Sequence, residues 1–326
     1  MASPFASSTS LPGLGTIHVA LLPPTTPVLQ TLSYQYPLKL IAPDPSTLRT
    51  DAGAHLVHTV FLLTYGGGLV AGDTIDLRIK LSHPSRLVLL TQGSTKIFKT
   101  PTRSLVSGQR LVVDFEPGAA LCYLPDPVQP YADSVFEQTQ VYNVPGPDSS
   151  LCVCDWVSEG RTARGEKWSF YKYTSKNEVW LVPEEGDRKL ILRDNVLLDD
   201  SGNVAPIAGR IDNLGVFGTL ILVGPLFKAL GEYFVDEFKR LPRIGNRNWD
   251  DTKEVMTDSI EVARARRQKQ ETKDGLLWTA AHVRGLVLVK FGAREVEGVK
   301  QWLSTMIKAE GSIETNFGER ALLCLK

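Results

Sequence analysis

The feature that most constrains this chain is a rhythm. From Gly15 to Val223 short runs of β-favouring residues follow one another, each closed by Gly, Pro, Asn, Asp or Ser, and no long helical pattern interrupts them before about residue 224. The runs are Gly15–Leu22, Gln30–Leu40, Ala54–Thr64, Thr74–Leu81, Arg86–Gln92, Leu105–Phe115, Ala119–Leu124, Phe136–Val144, Leu151–Val157, Lys167–Thr174, Glu178–Val182 and Lys189–Leu197. Such a chain folds mainly as β structure, in stacked antiparallel or mixed sheets, because strands without intervening helices lack the usual parallel crossover. After Gly224 the pattern changes, and two or three helices are expected. Leu226–Leu241 repeats apolar residues at helical spacing, as does Arg294–Ala309, with a closing hairpin over Leu276–Phe291 between them. Residues 1–14 read as a flexible arm rich in Ser, Pro and Gly, and 15–326 as a single domain. Within it, 15–223 is β-rich, 224–326 contains the helices, and a polar loop lies near 242–274.

One stretch invites a nucleotide-binding reading. In Val60–Asp73, VFLLTYGGGLVAGD, the glycines fit a relaxed G-x-G-x-x-A pattern after an apolar run. A phosphate loop needs a following helix to receive the anion. Here Ile75, Leu77, Ile79 and Leu81 instead alternate with polar residues, the signature of a strand. The glycines therefore predict a tight strand-to-strand turn that something approaches closely and that sets Asp73 at a defined point.

Composition removes several function classes. The 326 residues carry 36 basic and 36 acidic side chains, so no net field draws the chain to nucleic acid or an anionic membrane. The basic run Arg264, Arg266, Arg267, Lys269, Lys273 lacks interleaved aromatics for base stacking and reads as a solvated face. Four cysteines and an N-terminus without a basic leader predict a reducing, cytoplasmic location, and no apolar stretch is long enough to span a bilayer.

Catalytic signatures are lacking: neither G-x-S-x-G nor H-E-x-x-H occurs. His55 and His58, three apart in a β run, fall on opposite faces and do not ligate one ion together. Cys152, Cys154 and Trp156 share a face and read as core. What stands out is polar side chains set in apolar β segments: LTQGSTKIFKT (Leu90–Thr100) and DWVSEGRTARGEKWSF (Asp155–Phe170). Between them the extended connector LPDPVQPY (Leu124–Tyr131) carries three prolines that bar it from a central strand. The Arg and Glu residues of the last motif make either an ion-pair network fixing a turn or a polar, metal-handling channel.

Taken in order, GGGLVAGD, TQGSTKIFKT, LPDPVQPY and DWVSEGRTARGEKWSF resemble the urease accessory protein UreD (UreH) family, strongly over about residues 15–225. Tyr65 and Tyr131 depart from the usual proline and phenylalanine, and Arg243–Lys273 resembles an insertion. The resemblance implies a non-catalytic scaffold that binds apo-urease, UreF and, through UreF, UreG. It also implies no tightly bound cofactor and a transient path for nickel. Matched onto this sequence, it suggests Asp73, Asp155 and Glu166 as nickel-path carboxylates, with Gln92 and Lys96 as further polar residues of that path. The readings from other classes are a metal-dependent hydrolase and a small-ligand-binding β module.

Overall fold

The computed structural model describes residues 11–23, 26–50, 53–202, 205–241 and 259–326. Strands β1 (Leu14–Leu22), β2 (Thr26–Tyr34), β3 (Leu38–Ile41), β4 (Ser46–Thr50), β5 (Gly53–Thr64) and β6 (Gly68–Leu69) lead into a regular alternation. There, β7 (Thr74–Leu81), β8 (Arg86–Leu90), β9 (Thr95–Ile97), β10 (Ser107–Phe115), β11 (Ala120–Tyr123), β12 (Val128–Pro130), β13 (Val135–Val144), β14 (Ser150–Ser158) and β15 (Lys172–Leu181) follow. Strands β16 (Lys189–Asp199), β17 (Val216–Val223), β18 (Leu277–Val283) and β19 (Leu286–Ala293) complete two sheets. One runs β16-β15-β13-β10-β7-β1-β2 and the other β18-β19-β17-β14-β11-β8-β5-β3. The helices are α1 (Ile207–Arg210), α2 (Lys228–Lys239), α3 (Ser259–Asp274), α4 (Val296–Glu310) and α5 (Ser312–Phe317). Among the described residues no helix is long and apolar enough to cross a membrane.

The fold is mainly β with mixed sheets and C-terminal helices, but its centre is parallel where the spacing of runs favours antiparallel pairing. Strands β7, β10, β13 and β15 pair in parallel in the first sheet, and β5, β8, β11 and β14 in the second. Parallel pairing needs a crossover, and here the crossover of each sheet is a strand of the other. The chain goes from β7 across to β8, back to β10, across to β11, and so on. Helices are therefore unnecessary. The outward links are brief and proline-bearing, Ser82–Ser85, Glu116–Ala119 and Pro145–Ser149, whereas the return links hold the three downstream motifs.

Other boundaries move too. Gln30–Leu40 is divided between β2 and β3 by the turn at Tyr36-Pro37, and the run Lys167–Thr174 begins as loop. Its end joins Glu178–Val182 in one continuous strand, β15. Residues 259–274 of the expected polar loop form α3, while 242–258 lie outside the described residues, as do 1–10 of the expected arm. Nor is the basic run of α3 a wholly solvated face: Arg267 is buried, and both Arg264 and Arg267 bond Glu237 of α2, at 2.9 and 2.7 Å.

Strand β14 divides two cores by parity. Leu151, Val153 and Val157 join the cluster between the sheets, with Leu87, Leu89, Leu111 and Phe136. Cys152, Cys154 and Trp156 join the cluster between the second sheet and the helices, with Phe234, Trp302, Leu303 and Met306. The core reading of these cysteines holds, and helix periodicity correctly picks Leu230 and Phe234 of α2 and Val299, Trp302 and Met306 of α4 as buried.

Candidate functional site

The four motifs, scattered over a hundred residues of sequence, are neighbours in the fold. β6 pairs with β9 (Gly68↔Lys96, Leu69↔Ile97), β9 with β12 (Lys96↔Gln129, Ile97↔Pro130), and β12 meets β14 at Val128↔Val157. The proline connector thus does enter a ladder, contrary to its expected exclusion. It can do so because contact with β14 is confined to Val128, while on the β9 side Tyr131, not Pro130, donates to Ile97 O. Gly68 explains part of the triple glycine: a Cβ there would lie 2.4 Å from Lys96 O, so β9 approaches only a bare backbone. Gly66 and Gly67 have φ of +76° and +75°, the left-handed turn expected of them. The second turn closes through Asp73 N to Val70 O at 2.9 Å, with Gly72 at φ +85°, and Asp73 Oδ2 accepts from Val70 N at 3.2 Å. Asp73 is thereby a turn-fixing residue.

Glu166 is also engaged. Its carboxylate pairs with Arg161 through two bonds, Nε–Oε2 being 2.9 Å, and accepts from Ala132 N at 3.2 Å. The guanidinium lies over the Tyr131 ring, 4.0 Å from its centroid. Hydrogen bonding from Arg161 holds the Glu166 carboxyl below its usual range, outweighing its partial burial. Gln92, in the loop before β9, and Lys96, within β9, are exposed. Asp73, Glu166 and Asp155 do not converge: among the described residues no group of three His, Cys, Asp or Glu side chains could hold a metal ion. His55 and His58 likewise have separate partners, Arg86 and Asn316 O for one and Pro27 O for the other.

Asp155 occupies a different setting. By parity it takes an inward position in the row Leu151, Val153, Asp155, Val157, facing the first sheet. There it accepts Gln138 Nε2 at 2.8 Å, Ser175 Oγ at 2.5 Å and Asn177 Nδ2 at 2.6 Å. Burial pushes its carboxyl above the ordinary range and nearby Asp194 adds to the rise, while these three donors oppose it. Its donors belong to a band in register. Across the first sheet Gln109 pairs with Gln138 and Gln138 with Ser175. One step along, Gln140 pairs with Asn177 and Asn177 with Asp194. Across the second sheet Asp155 pairs with Thr219 and Thr219 with Lys290. The two bands meet through Asp155 and through Asp194, which takes Thr219 Oγ1 at 2.8 Å and Lys290 Nζ at 2.6 Å. Asn177 is fully buried and its Oδ1 has no hydrogen-bond partner, an orphaned acceptor beside a carboxylate.

At one end this band borders a small cleft. A cleft of about 10 Å³, room for about one water, is lined by Gln109, Gln138, Gln140, Asp155, Thr91 and Asp126 among others. Thr91 and Asp126 also line an outer cavity of about 600 Å³ with Gln92, Phe61, Leu323 and Lys300. Sequence reading found Asp155 and Gln92 but missed Asp126, Gln109, Gln138, Gln140, Ser175, Asn177, Asp194, Thr219 and Lys290. A signal was present, since Gln138 and Gln140 hold the inward parity of Phe136, Tyr142 and Val144 in one strand.

The sequence has relatives among known proteins. The family described as UreD urease accessory protein matches residues 15–322. A protein of Schizosaccharomyces pombe named as an uncharacterized ureD-like urease accessory protein is 31% identical over 82% of this chain and 84% of its own length. Urease accessory protein 4 of Cryptococcus neoformans var. grubii is 29% identical over 92% and 91%, and urease accessory protein D of Oryza sativa subsp. indica 36% over 64% of each. A sequence matched by this family over nearly its whole length is that of a urease accessory protein. The chain belongs to the UreD family.

Proposed function

We propose that this chain is a non-catalytic scaffold of urease maturation that binds apo-urease and UreF, and through UreF the GTPase UreG, and that its inter-sheet polar band is a path for nickel(II) toward the urease active site. The observation that carries the reading is Asp155: a buried carboxylate held by three donors in a row where a β core normally has Val or Leu. Replacing buried polar groups by well-packed apolar residues is often neutral or stabilising, so a band of this kind points to a task beyond stability.

The donor chemistry fits a cargo in transit. Carboxylate and amide oxygens bind nickel(II) weakly enough to release it, whereas thiolates would trap it. Cys154, which borders the cleft, has its thiol pushed up by burial, which disfavours the thiolate form. In this reading Asp155 is an interior station and Gln92 borders the entrance, while Asp73, Lys96 and Glu166 lie in the neighbouring motifs, outside the lining of both spaces. No resident cofactor is needed, and the cytoplasmic location expected from the sequence belongs to the same reading.

The test is co-expression with UreF, UreG and apo-urease followed by affinity isolation and metal analysis. The proposal expects a stable complex whose urease gains nickel only when this chain is present. Urease fully loaded without the chain would contradict it.

A further inference from the structure

Where the outer cavity meets the polar cleft, a buried carboxylate is paired with a cation of the protein itself. Asp126, buried between outer cavity and inner cleft, has one carboxylate oxygen satisfied by Thr91 Oγ1 at 3.2 Å and Gly93 N at 2.9 Å. Its other oxygen takes Lys300 Nζ, from α4, at 2.7 Å. Lys300 is the one cationic side chain among the described residues lining either space. An ammonium there neutralises the first carboxylate a metal ion would meet and repels a divalent ion approaching it at low effective dielectric.

Lys300 also lines a second space, a surface groove of about 1160 Å³ bordered by the carboxylates Glu159, Glu295 and Glu297 and by the cations Lys167 and Arg294. Glu297 lies one turn earlier on α4, at the i, i+3 spacing at which side chains of a helix meet. The side chain therefore has two alternative carboxylates, Asp126 in the cleft mouth and Glu297 in the groove.

We propose that Lys300 is a latch: paired with Asp126 it closes the polar band to divalent cations, and moving to Glu297 it exposes Asp126 as the entry ligand. The biological meaning of the latch rests on the nickel-path reading above. Its physics does not, because closure by a tethered ammonium is a property of the isolated chain. The orphaned Oδ1 of Asn177 beside Asp155 supplies the oxygen-rich interior to which the latch controls access.

The experiment titrates the untagged full-length chain with nickel(II) chloride by calorimetry. Lys300→Met is expected to bind nickel at least tenfold more tightly than wild type, and Lys300→Arg, which keeps the charge, to match wild type. Lys300→Gln preserves a donor to Asp126, protects the fold should the methionine variant be unstable, and is expected to show the same gain. Adding Asp126→Asn should abolish it. A gain absent from both neutral variants, or surviving Asp126→Asn, overturns the latch. A gain that is present while Asp155→Asn still supports full nickel loading of urease leaves the latch standing and overturns the path.

Discussion

Gln138 of β13 and Asp155 of β14 face one another across the two sheets, Nε2 to Oδ1 at 2.8 Å, one of several polar contacts that join the halves of the molecule through its interior. Because burial raises the Asp155 carboxyl above its unfolded value, the folded state holds the proton more tightly. Stability then falls as pH rises from about the ordinary value of 3.8 through the folded value, and the loss is complete above it. Asp155→Asn removes that slope. Asn177 can turn its unpaired Oδ1 toward the new amide. The variant is predicted to gain urea midpoint over wild type at pH 7 and to lose the advantage near pH 4.

Glu237 is the converse case. Although burial alone would raise its carboxyl, the Arg264 and Arg267 hydrogen bonds hold it below the usual range, so its contribution is present above about 4.5 and is lost as pH falls through the lower folded value. Glu237→Gln leaves buried Arg267 with Glu271 alone, at 2.8 Å. A loss of about 3 kcal/mol in chemical denaturation at pH 7 is expected, with earlier proteolysis in α3. An unchanged midpoint would reject the role of Glu237 in docking α3.

The glycines separate two physical costs. At Gly66 no atom lies within 4 Å of an added Cβ, so Gly66→Ala meets only the left-handed backbone penalty of about 1 kcal/mol. At Gly68 the backbone is extended, φ 179°, and the obstacle is Lys96 O at 2.4 Å and Phe98 at 2.7 Å. Gly68→Ala must push β9 away and is predicted to cost about 2–3 kcal/mol. Equal midpoints for the two variants in thermal melts would contradict this division.

How far the sequence reveals this molecule depends on which interactions are local. Strand parity, the period-2 row of β7 and the helix stripes of α2 and α4 are local, and they appear in the structure where the pattern puts them. Parallel pairing between β7 and β10 is not local, because it depends on a return strand in the opposite sheet. The same is true of the band: Asp155 gains its meaning from Gln138, Ser175 and Asn177, which lie 17, 20 and 22 positions away. Glu166 shows the reverse. Its partner Arg161 is five residues away within the same motif, and the turn-fixing ion pair was one of the two readings its spacing permitted. Residues 259–274 looked like loop because a helix whose apolar stripe is replaced by Arg264 and Arg267 carries no hydrophobic period, and the partners that cover that face, Glu237 of α2 and Met306 of α4, are distant in sequence.

The central claim is that nickel reaches urease through the band around Asp155. Its most direct test is the nickel content of urease purified from cells co-expressing apo-urease, UreF, UreG and either wild-type chain or Asp155→Asn, with the variant's folding and complex formation checked in parallel. The account predicts an intact complex and at least a tenfold fall in nickel per urease active site. Wild-type nickel content in urease matured by a folded, complex-forming Asp155→Asn chain would contradict it.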